Sequence, residues 1–213
     1  ETEVSEATRT ATFTPGRDAA RKEASKLTVP RIGVRFRMPV TMNQVEYFGR
    51  GPEENYWDRK AGTLVGLYKS TAEDLYFPYV RPQENGHHTD TRWVSVSSNK
   101  GKGLKIVADE LIEFNALRNS IEDFDDEEQT NLPRQWSNFT PEQIANHDEA
   151  AAKNVLRRQH HINDVTPRNY VEVCIDLKQQ GVGGYDSWGA RPEPQYTLPA
   201  NKDYQWGFTI IPE

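Results

Sequence analysis

The chain has a single cysteine, no long apolar run and little excess charge, and each shortage excludes a class of protein. Cys174 alone can form neither an internal disulfide nor a cysteine-based zinc site. No stretch approaches the ~18 apolar residues of a membrane-spanning helix. The net charge of -6, from 26 basic and 32 acidic residues, disfavours a general binder of nucleic acid or anionic membranes. We therefore expect no nucleic acid and no membrane among the partners.

The 213 residues suffice for one large domain or two small ones. Apolar residues are scarce: with glycine counted and tyrosine left out they make up about 38%, against a typical ~45–50%. Large aromatic residues are plentiful, with 5 Trp, 9 Tyr and 8 Phe for a core. This favours a folded sheet protein with one solvated face per strand. Because the chain starts at Glu1 without an apolar signal segment, we expect a processed product or a fragment.

Alternation of apolar and polar residues predicts at least five strands. The alternating or apolar runs are residues 32–38, 45–48, 93–96, 104–108, 171–177 and 204–210. Glycine, proline and asparagine separate these runs, and residues 97–103 read as the turn of a hairpin. We predict an all-β fold of antiparallel sheets packed face to face, a β-sandwich.

The first residues lack a periodic pattern. Residues 1–29 are polar, so we expect a ragged segment with at most a short strand at 11–14. The sandwich domain is predicted over residues 30–213.

One internal stretch also breaks the strand pattern. Thr140 is a candidate N-cap, Pro141 suits the first helical turn, and Gln143 stands at the capping-box position. We predict a helix over residues 141–157 within an insertion at about 129–158.

Two histidine pairs and an acidic run invite a metal-site interpretation. Each histidine pair is followed by an aspartate, at His87, His88 and Asp90 and again at His160, His161 and Asp164. Neighbouring strand residues point to opposite faces, so such pairs chelate poorly. We expect loop or surface histidines. The acidic residues 122–128 lack the spacing of a calcium loop and are predicted to be solvated. No metal site is assigned.

Residues 181–184 (GVGG) carry three glycines but lack the Lys-Ser/Thr of a phosphate-binding loop. A tight turn that presents Asp186 and Trp188 explains the glycines better. A loop tryptophan beside polar residues is suited to sugar contact, and the alternative is that Trp188 fills the core.

Paired carboxylates are the minimum for glycoside hydrolysis. The loop candidates are Glu53, Glu54, Glu84 and Asp186. Their spacing does not designate a facing pair, and no serine or cysteine lies in a nucleophile signature. The residues by themselves define no complete active site.

Four segments in order resemble the large family-two β-galactosidases. Residues 49–59 (GRGPEENYWDR) are similar to the family's GxGPxENYxDR, and residues 78–86 (PYVRPQENG) to its PYxxPxENG. Residues 181–189 (GVGGYDSWG) resemble its GxGGxDSW. Residues 30–33 (PRIG) fit its first strand, and the resemblance extends over about 29–212.

The resemblance implies the C-terminal domain of those enzymes, which is sometimes encoded separately as a small subunit. It implies a large antiparallel β-sandwich related to the galactose-mutarotase-like supersandwich. The implied reaction is retaining hydrolysis of terminal β-D-galactosyl residues. Both catalytic glutamates lie on a TIM barrel in an earlier domain, so no catalytic residue is expected in this chain.

The resemblance also implies cofactors and partners. Mg²⁺, and Na⁺ as well, would bind mainly outside this domain, so no cofactor is expected in the chain itself. The implied partners are a β-galactoside substrate, the catalytic barrel domain or large subunit, and further copies of the complete enzyme.

Substrate-contacting residues follow from the same resemblance. Trp188 would be an aromatic platform for galactose or the aglycone, and Asp186 would brace its loop. Gly183 and Gly184 would allow the turn that delivers the tryptophan. The remaining site-loop residues are Gly49, Gly51, Glu53, Asn55, Asp58 and Arg59. We expect Asp58 and Arg59 to anchor their loop by ion pairing.

Two departures and two alternatives remain open. Tyr185 stands where the family often has Asp, and Trp57 where Pro is usual, which enlarges the aromatic surface near the aglycone. One alternative is a non-catalytic carbohydrate-binding or structural and oligomerisation module. The other is a mutarotase-like epimerase that uses His87 or His160, which is disfavoured because the sequence pairs neither with a carboxylate.

Overall fold

The computed structural model describes residues 27–124, 162, 165–184 and 191–213, and the regular secondary structure of this part of the chain is almost entirely β-strand. Its strands are β1 (Thr28–Val29), β2 (Arg31–Pro39), β3 (Gln44–Gly51), β4 (Leu64–Thr71), β5 (His88–Ser97), β6 (Gly103–Leu117), β7 (Tyr170–Gln179), β8 (Leu198–Pro199) and β9 (Phe208–Pro212). Helical structure in these ranges is limited to 3-10 turns such as Ile121–Phe124 and Pro194–Tyr196. The all-β class is confirmed.

Seven strands form one antiparallel sheet in the order β2-β7-β6-β5-β3-β4, with β9 beside β6, and β1 pairs with β8 in a separate ribbon. Two strands share one edge of β6. Residues 104–108 of that strand pair with β9, whereas residues 113–117 pair with β7 on the same edge. The register with β5 shifts on both sides of Thr91, next to Asp90 with φ 51°. Such bulges increase the local twist of a strand. The antiparallel sheet is consistent with a β-sandwich.

Apolar rows from the central strands meet in one core. The fully buried members include Val45, Tyr47, Val94, Val96, Ile106, Ile112, Phe114, Val171, Val173 and Ile175. They alternate with residues of the opposite face, as the period of two requires. The predicted hairpin is confirmed, because Val94 pairs with Ile106 and Ser97 with Gly103.

The strand predictions differ from the structure at several places, since β5 and β6 extend beyond the predicted runs and β1 and β8 were not predicted. β3 continues through Gly49 and Gly51, although these glycines were expected to end it. At Gly49 the backbone lies so close to Thr91 that a Cβ would stand 2.5 Å from its Oγ1, which explains the glycine. The last strand begins only at Phe208, and the edge strand β4 was not predicted.

Several predicted features lie outside the described residues. They are the strand at 11–14, the insertion at 129–158 with its helix at 141–157, His160, His161 and Asp164, and the proposed substrate residues Asp186 and Trp188. Among the described residues, no helix has the length and apolarity to cross a membrane.

Candidate functional site

The loop at residues 49–59 contacts the other two loop motifs, residues 78–86 and 181–184. Its own shape is fixed by Asn55. The Asn55 side chain is completely buried, and its Nδ2 donates to the carbonyls of Arg50 and Glu53, both at 3.1 Å. Its Oδ1 accepts from the backbone amide of Thr89 at 3.0 Å. The backbone amide of Asn55 donates to the His87 carbonyl at 2.7 Å. The loop is therefore attached to the start of β5.

Glu54 ties this loop to the second motif, residues 78–86. Its Oε2 accepts from the Gly86 amide at 2.6 Å, and its Oε1 accepts from Arg59 at 2.5 Å and from the Tyr79 hydroxyl. With both oxygens engaged by donors, Glu54 serves as a structural anchor rather than as a free acid or base. The ion pair of Arg59 is thus made with Glu54, inside the loop.

Asp58 ties the loop to the third motif, residues 181–184. Its Oδ1 accepts from the Val182 amide at 3.1 Å, and its Oδ2 from the Gly183 amide at 2.8 Å. Gly181 permits this approach, since a Cβ there would stand 2.5 Å from the Asp58 Cγ. Two successive amides aimed at one anion form a small anion-binding nest, here filled by the protein's own carboxylate. The described partners of Asp58 are amides rather than the expected cation.

A buried polar network lies behind these loops, and His87 is at its centre. His87 is fully buried, with Nε2 at 3.0 Å from Glu113 and Nδ1 at 2.7 Å from Asn115. The Tyr56 ring stacks on it at 5.3 Å. Burial alone would lower the pKa of His87, but the hydrogen bond and charge of Glu113 outweigh burial and raise it.

His88, the neighbouring residue, has the opposite environment. It is also buried, between the rings of Tyr47 and Phe114 at 4.9 and 5.1 Å. Its ring nitrogens face the carbonyls of Gly86 and Pro52. Burial lowers the pKa of His88 to about 4. The prediction of loop or surface histidines is therefore wrong for this pair, because the sheet covers both side chains.

The polar face of β7 is buried as well. Asp176 is only 1% exposed, and Arg31 donates to it through Nε at 2.8 Å. Glu172, also buried, accepts from Arg37 at 3.1 Å. Burial raises the pKa of Asp176 to about 6, against the opposing effect of the Arg31 charge. The arginines of β2 therefore cover a face that alternation alone would leave to solvent.

The acidic run at 122–128 is described only at its first residues. Asp123 is buried, forms an ion pair with Arg168, and accepts from the Ser120 amide at 2.9 Å. Glu122 pairs with Arg35 at 2.6 Å. The prediction of a solvated loop is wrong for Asp123, because Arg168, from the segment before β7, pairs with it inside the fold.

The structure places the remaining predicted residues as follows. Glu53 is exposed and Gly51 is buried. Gly183 and Gly184 lie in the left-handed region, with φ of 61° and 81°. The side-chain Nδ2 of Asn115 donates a hydrogen bond to Oε1 of Glu84 at 3.4 Å. The sequence reasoning missed Glu113, which is the carboxylate partner of His87 and lies 26 positions away. No sequence pattern marks that pairing.

The residues present do not form a cation site in the described part of the chain. No group of three or more His, Cys, Asp or Glu is placed there to hold a metal ion. The buried carboxylates Glu172, Asp176 and Asp123 instead form ion pairs with arginines. We therefore derive no step through Mg²⁺ or Na⁺.

The His87–Glu113 pair removes the argument made against an epimerase, but it does not support one. The sequence offered no carboxylate for His87, and the structure supplies Glu113. Both side chains are buried, His87 completely, and Tyr56 stacks on the ring. A sugar therefore has no access to this histidine in the described structure.

The fold and the site define a class of protein. It is an antiparallel all-β domain whose three loop motifs are joined through Glu54 and Asp58. A family profile described as "Beta galactosidase small chain" matches residues 3–210. The chain therefore belongs to the β-galactosidase small-chain family.

Curated relatives agree with this family. The chain is 34% identical over 184 residues to the β-galactosidase of Priestia megaterium and 32% identical over 184 residues to that of Streptococcus thermophilus, each match covering 86% of this chain and 15% of the relative. A β-galactosidase of Vibrio cholerae is 29% identical over 182 residues, covering 85% of this chain and 14% of the relative. The chain thus spans about 15% of the length of the first relatives.

Proposed function

We propose that this chain is the C-terminal domain of a family-two β-galactosidase and forms one wall of its active site. The match of residues 3–210 to the β-galactosidase small chain carries the proposal. The junction of the family's three motifs at Glu54 and Asp58 adds support, because it assembles the resembling segments in one place.

The proposed reaction is the retaining double displacement. One glutamate attacks the anomeric carbon as the other protonates the leaving oxygen, and the second then activates water to release galactose. Both glutamates, with Mg²⁺ and Na⁺, belong in this proposal to the TIM-barrel domain or large subunit, and the working enzyme contains several copies of the complete protein.

The contribution of this chain is substrate contact. Trp188 offers its ring to the apolar face of the galactoside, and Asp186 braces the loop that carries it. Aromatic contacts of this kind contribute up to about 1.5 kcal/mol beyond area burial. Because about 1.4 kcal/mol corresponds to a factor of ten, Trp188→Ala in the complete enzyme should lower kcat/KM about tenfold.

The matched control for this variant is Trp93→Ala. Trp93 lies on β5 with the Lys105 ammonium 3.9 Å from its ring centre, and it belongs to none of the three motifs. We expect Trp93→Ala to leave kcat/KM within about twofold, a difference smaller than ~0.5 kcal/mol. Several β-galactosides with different aglycones should be assayed. An unchanged profile for Trp188→Ala would contradict substrate contact and favour the non-catalytic carbohydrate-binding or structural module.

A second experiment tests where the catalytic carboxylates lie. Circular dichroism first verifies that the purified chain is folded. The chain alone should then not hydrolyse a chromogenic β-galactoside that the complete enzyme hydrolyses. Turnover by the chain that survives removal of contaminants would show that this sheet carries its own carboxylate pair.

A further inference from the structure

β4 forms one edge of the seven-stranded sheet, and its apolar side chains are exposed. In the described part of the chain β4 pairs with β3 alone, so its outer side offers backbone donors and acceptors to another strand. Leu64, Val65 and Leu67 are 75%, 42% and 61% exposed. Covering such an edge would add hydrogen bonds to the sheet and remove apolar surface from water.

The two edges of the sheet differ in charge. β2, the opposite edge, carries Arg31, Arg35 and Arg37. Charged side chains and prolines on edge strands are ways in which proteins prevent pairing with other chains. β4 contains no proline, and its only charged residue is Lys69, which forms an ion pair with Glu46 of β3 at 3.0 Å. The β4 edge therefore lacks the protection that the β2 edge has.

Tyr68 and Lys69 determine how two copies of β4 could pair. The Tyr68 hydroxyl donates to the Leu64 carbonyl at 3.0 Å, so this acceptor at the start of the strand is already engaged. The remaining stretch, residues 65–69, is centred on Leu67. Antiparallel pairing about a two-fold axis at Leu67 sets Leu67 opposite its own copy and Lys69 opposite Val65 of the second copy. The two lysines are then four positions apart, roughly 13 Å at about 3.3 Å per residue, so like charges do not face each other.

This pairing would also join the apolar side chains of the two copies. Phe48 of β3 is the register partner of Leu67 and is 37% exposed, so the two side chains lie on the same face of the sheet. Across the axis the order of side chains would be Phe48, Leu67, Leu67 and Phe48, with neighbouring strands about 4.8 Å apart. Side chains directly opposite each other on an antiparallel pair contact each other and stabilise the sheet. The β4 edge is therefore complementary to itself in both shape and charge.

We propose that the β4 edge is a homodimer interface, in which β4 of one copy pairs antiparallel with β4 of a second copy about a two-fold axis at Leu67. The occupant is a second copy of this chain, because two-fold pairing covers both β4 edges at once without opposing like charges. The arginine-bearing β2 edges stay outside the interface, so assembly stops at two copies. The inference does not depend on the proposed function, since no substrate contact enters it.

Sedimentation equilibrium of the purified chain tests this interface. At about 100 µM protein, a dissociation constant in the micromolar range gives mostly dimer. Leu67→Glu and Leu67→Lys each place like charges opposite each other at the axis, and we expect each to raise the dissociation constant at least about tenfold. An equimolar mixture of the two variants places glutamate opposite lysine. The mixture should form a heterodimer with a dissociation constant within about threefold of the wild-type value.

Val34→Glu is the matched control. Val34 lies on β2, the opposite edge, and is 43% exposed, so the same kind of substitution is made on an edge strand outside the interface. The dissociation constant of this variant should stay within about twofold of the wild-type value. Circular dichroism verifies that each variant is folded.

Hydrogen exchange locates the contact without any substitution. In the wild-type chain, amides in a peptide covering residues 64–71 should exchange more slowly above the dissociation constant than below it, because strand pairing engages their N–H groups. In Leu67→Glu the exchange of this peptide should not depend on protein concentration over the same range.

Several results would overturn the homodimer. They are a monomeric wild-type chain at about 100 µM, unchanged dimers of both Leu67 variants, and a mixture that associates no more tightly than either variant alone. If the purified chain is monomeric but its 64–71 amides are protected in the complete enzyme, the remaining polypeptide covers β4 and self-pairing is wrong. None of these results alters the expectation for Trp188→Ala, so the two proposals fail independently.

Discussion

Arg31→Met is a substitution for which the structure predicts a pH-dependent loss of stability. Arg31 donates to Asp176 at 2.8 Å and to the side-chain oxygen of Asn115. Methionine has a similar length but no charge and no donor, so Asp176 would remain buried without this cation. Removing one partner of a buried ion pair typically costs about 3–5 kcal/mol, because the other charge stays out of water.

The loss should grow with pH. The folded pKa of Asp176, about 6, lies above its ordinary value of 3.8 because of burial. Proton uptake by this group therefore stabilises the fold: the contribution is complete below about pH 4 and disappears as the pH rises through about 6. Without the Arg31 charge the folded pKa rises further. The variant should therefore be close to wild type near pH 5 and at most about 3 kcal/mol less stable at pH 8, because the two pH units between the wild-type folded pKa and pH 8 correspond to roughly 1.4 kcal/mol each.

Urea unfolding of the purified chain at pH 5 and pH 8 measures this difference. With an m-value of about 2 kcal/mol/M, the expected loss moves the midpoint by roughly 1–1.5 M at pH 8. The control is Arg31→Met combined with Asp176→Asn, which removes the uncompensated charge and should make the loss nearly independent of pH. An equal loss for Arg31→Met at both pH values would refute the reasoning.

Two further predictions concern other buried groups. Burial lowers the pKa of His88 to about 4, so below pH 6.5 the unfolded chain binds a proton that the folded chain does not. The free energy of unfolding is therefore unaffected by protonation of His88 above pH 6.5, and it falls by about 3 kcal/mol as the pH decreases to 4. His88→Gln should flatten that part of the pH profile of urea unfolding, and an unchanged slope would show that His88 is not its source. Burial also raises the pKa of Cys174 to about 12, so a thiol reagent at pH 8 should react with the folded chain at least about a hundredfold more slowly than in urea. Equal rates in the two solvents would contradict a buried thiol.

The fold class and the central strands could be predicted because they depend on local alternation. The run at 171–177 lies within β7, and the hairpin of β5 and β6 forms across the predicted turn. β4 was missed because it is an edge strand whose Leu64 and Leu67 are 75% and 61% exposed, so apolar residues mark no buried face there. The strand predicted at 204–210 starts too early, because the pairing of β9 with β6 begins only at Phe208.

The site was predictable only in part. The three loop motifs are recognisable as strings, but their contacts are not. Asp58 binds amides 124 and 125 positions away, and Arg31 pairs with Asp176 over 145 positions. Such pairs depend on strand order, which places β2 beside β7 and β7 beside β6.

The amino-acid sequence by itself determined the antiparallel all-β class, most central strands and the family, because alternation and contiguous motifs are local properties. Only the tertiary structure decided the environment of the polar groups. Glu172 and Asp176 belong to the polar side of an alternating strand, yet they are buried because β2 lays its arginines over them. His87 and His88 are neighbours in sequence, but the pKa of one is raised and that of the other lowered. Burial and charge pairing depend on segments that meet only when the sheet forms, and these determine a polar group's chemistry.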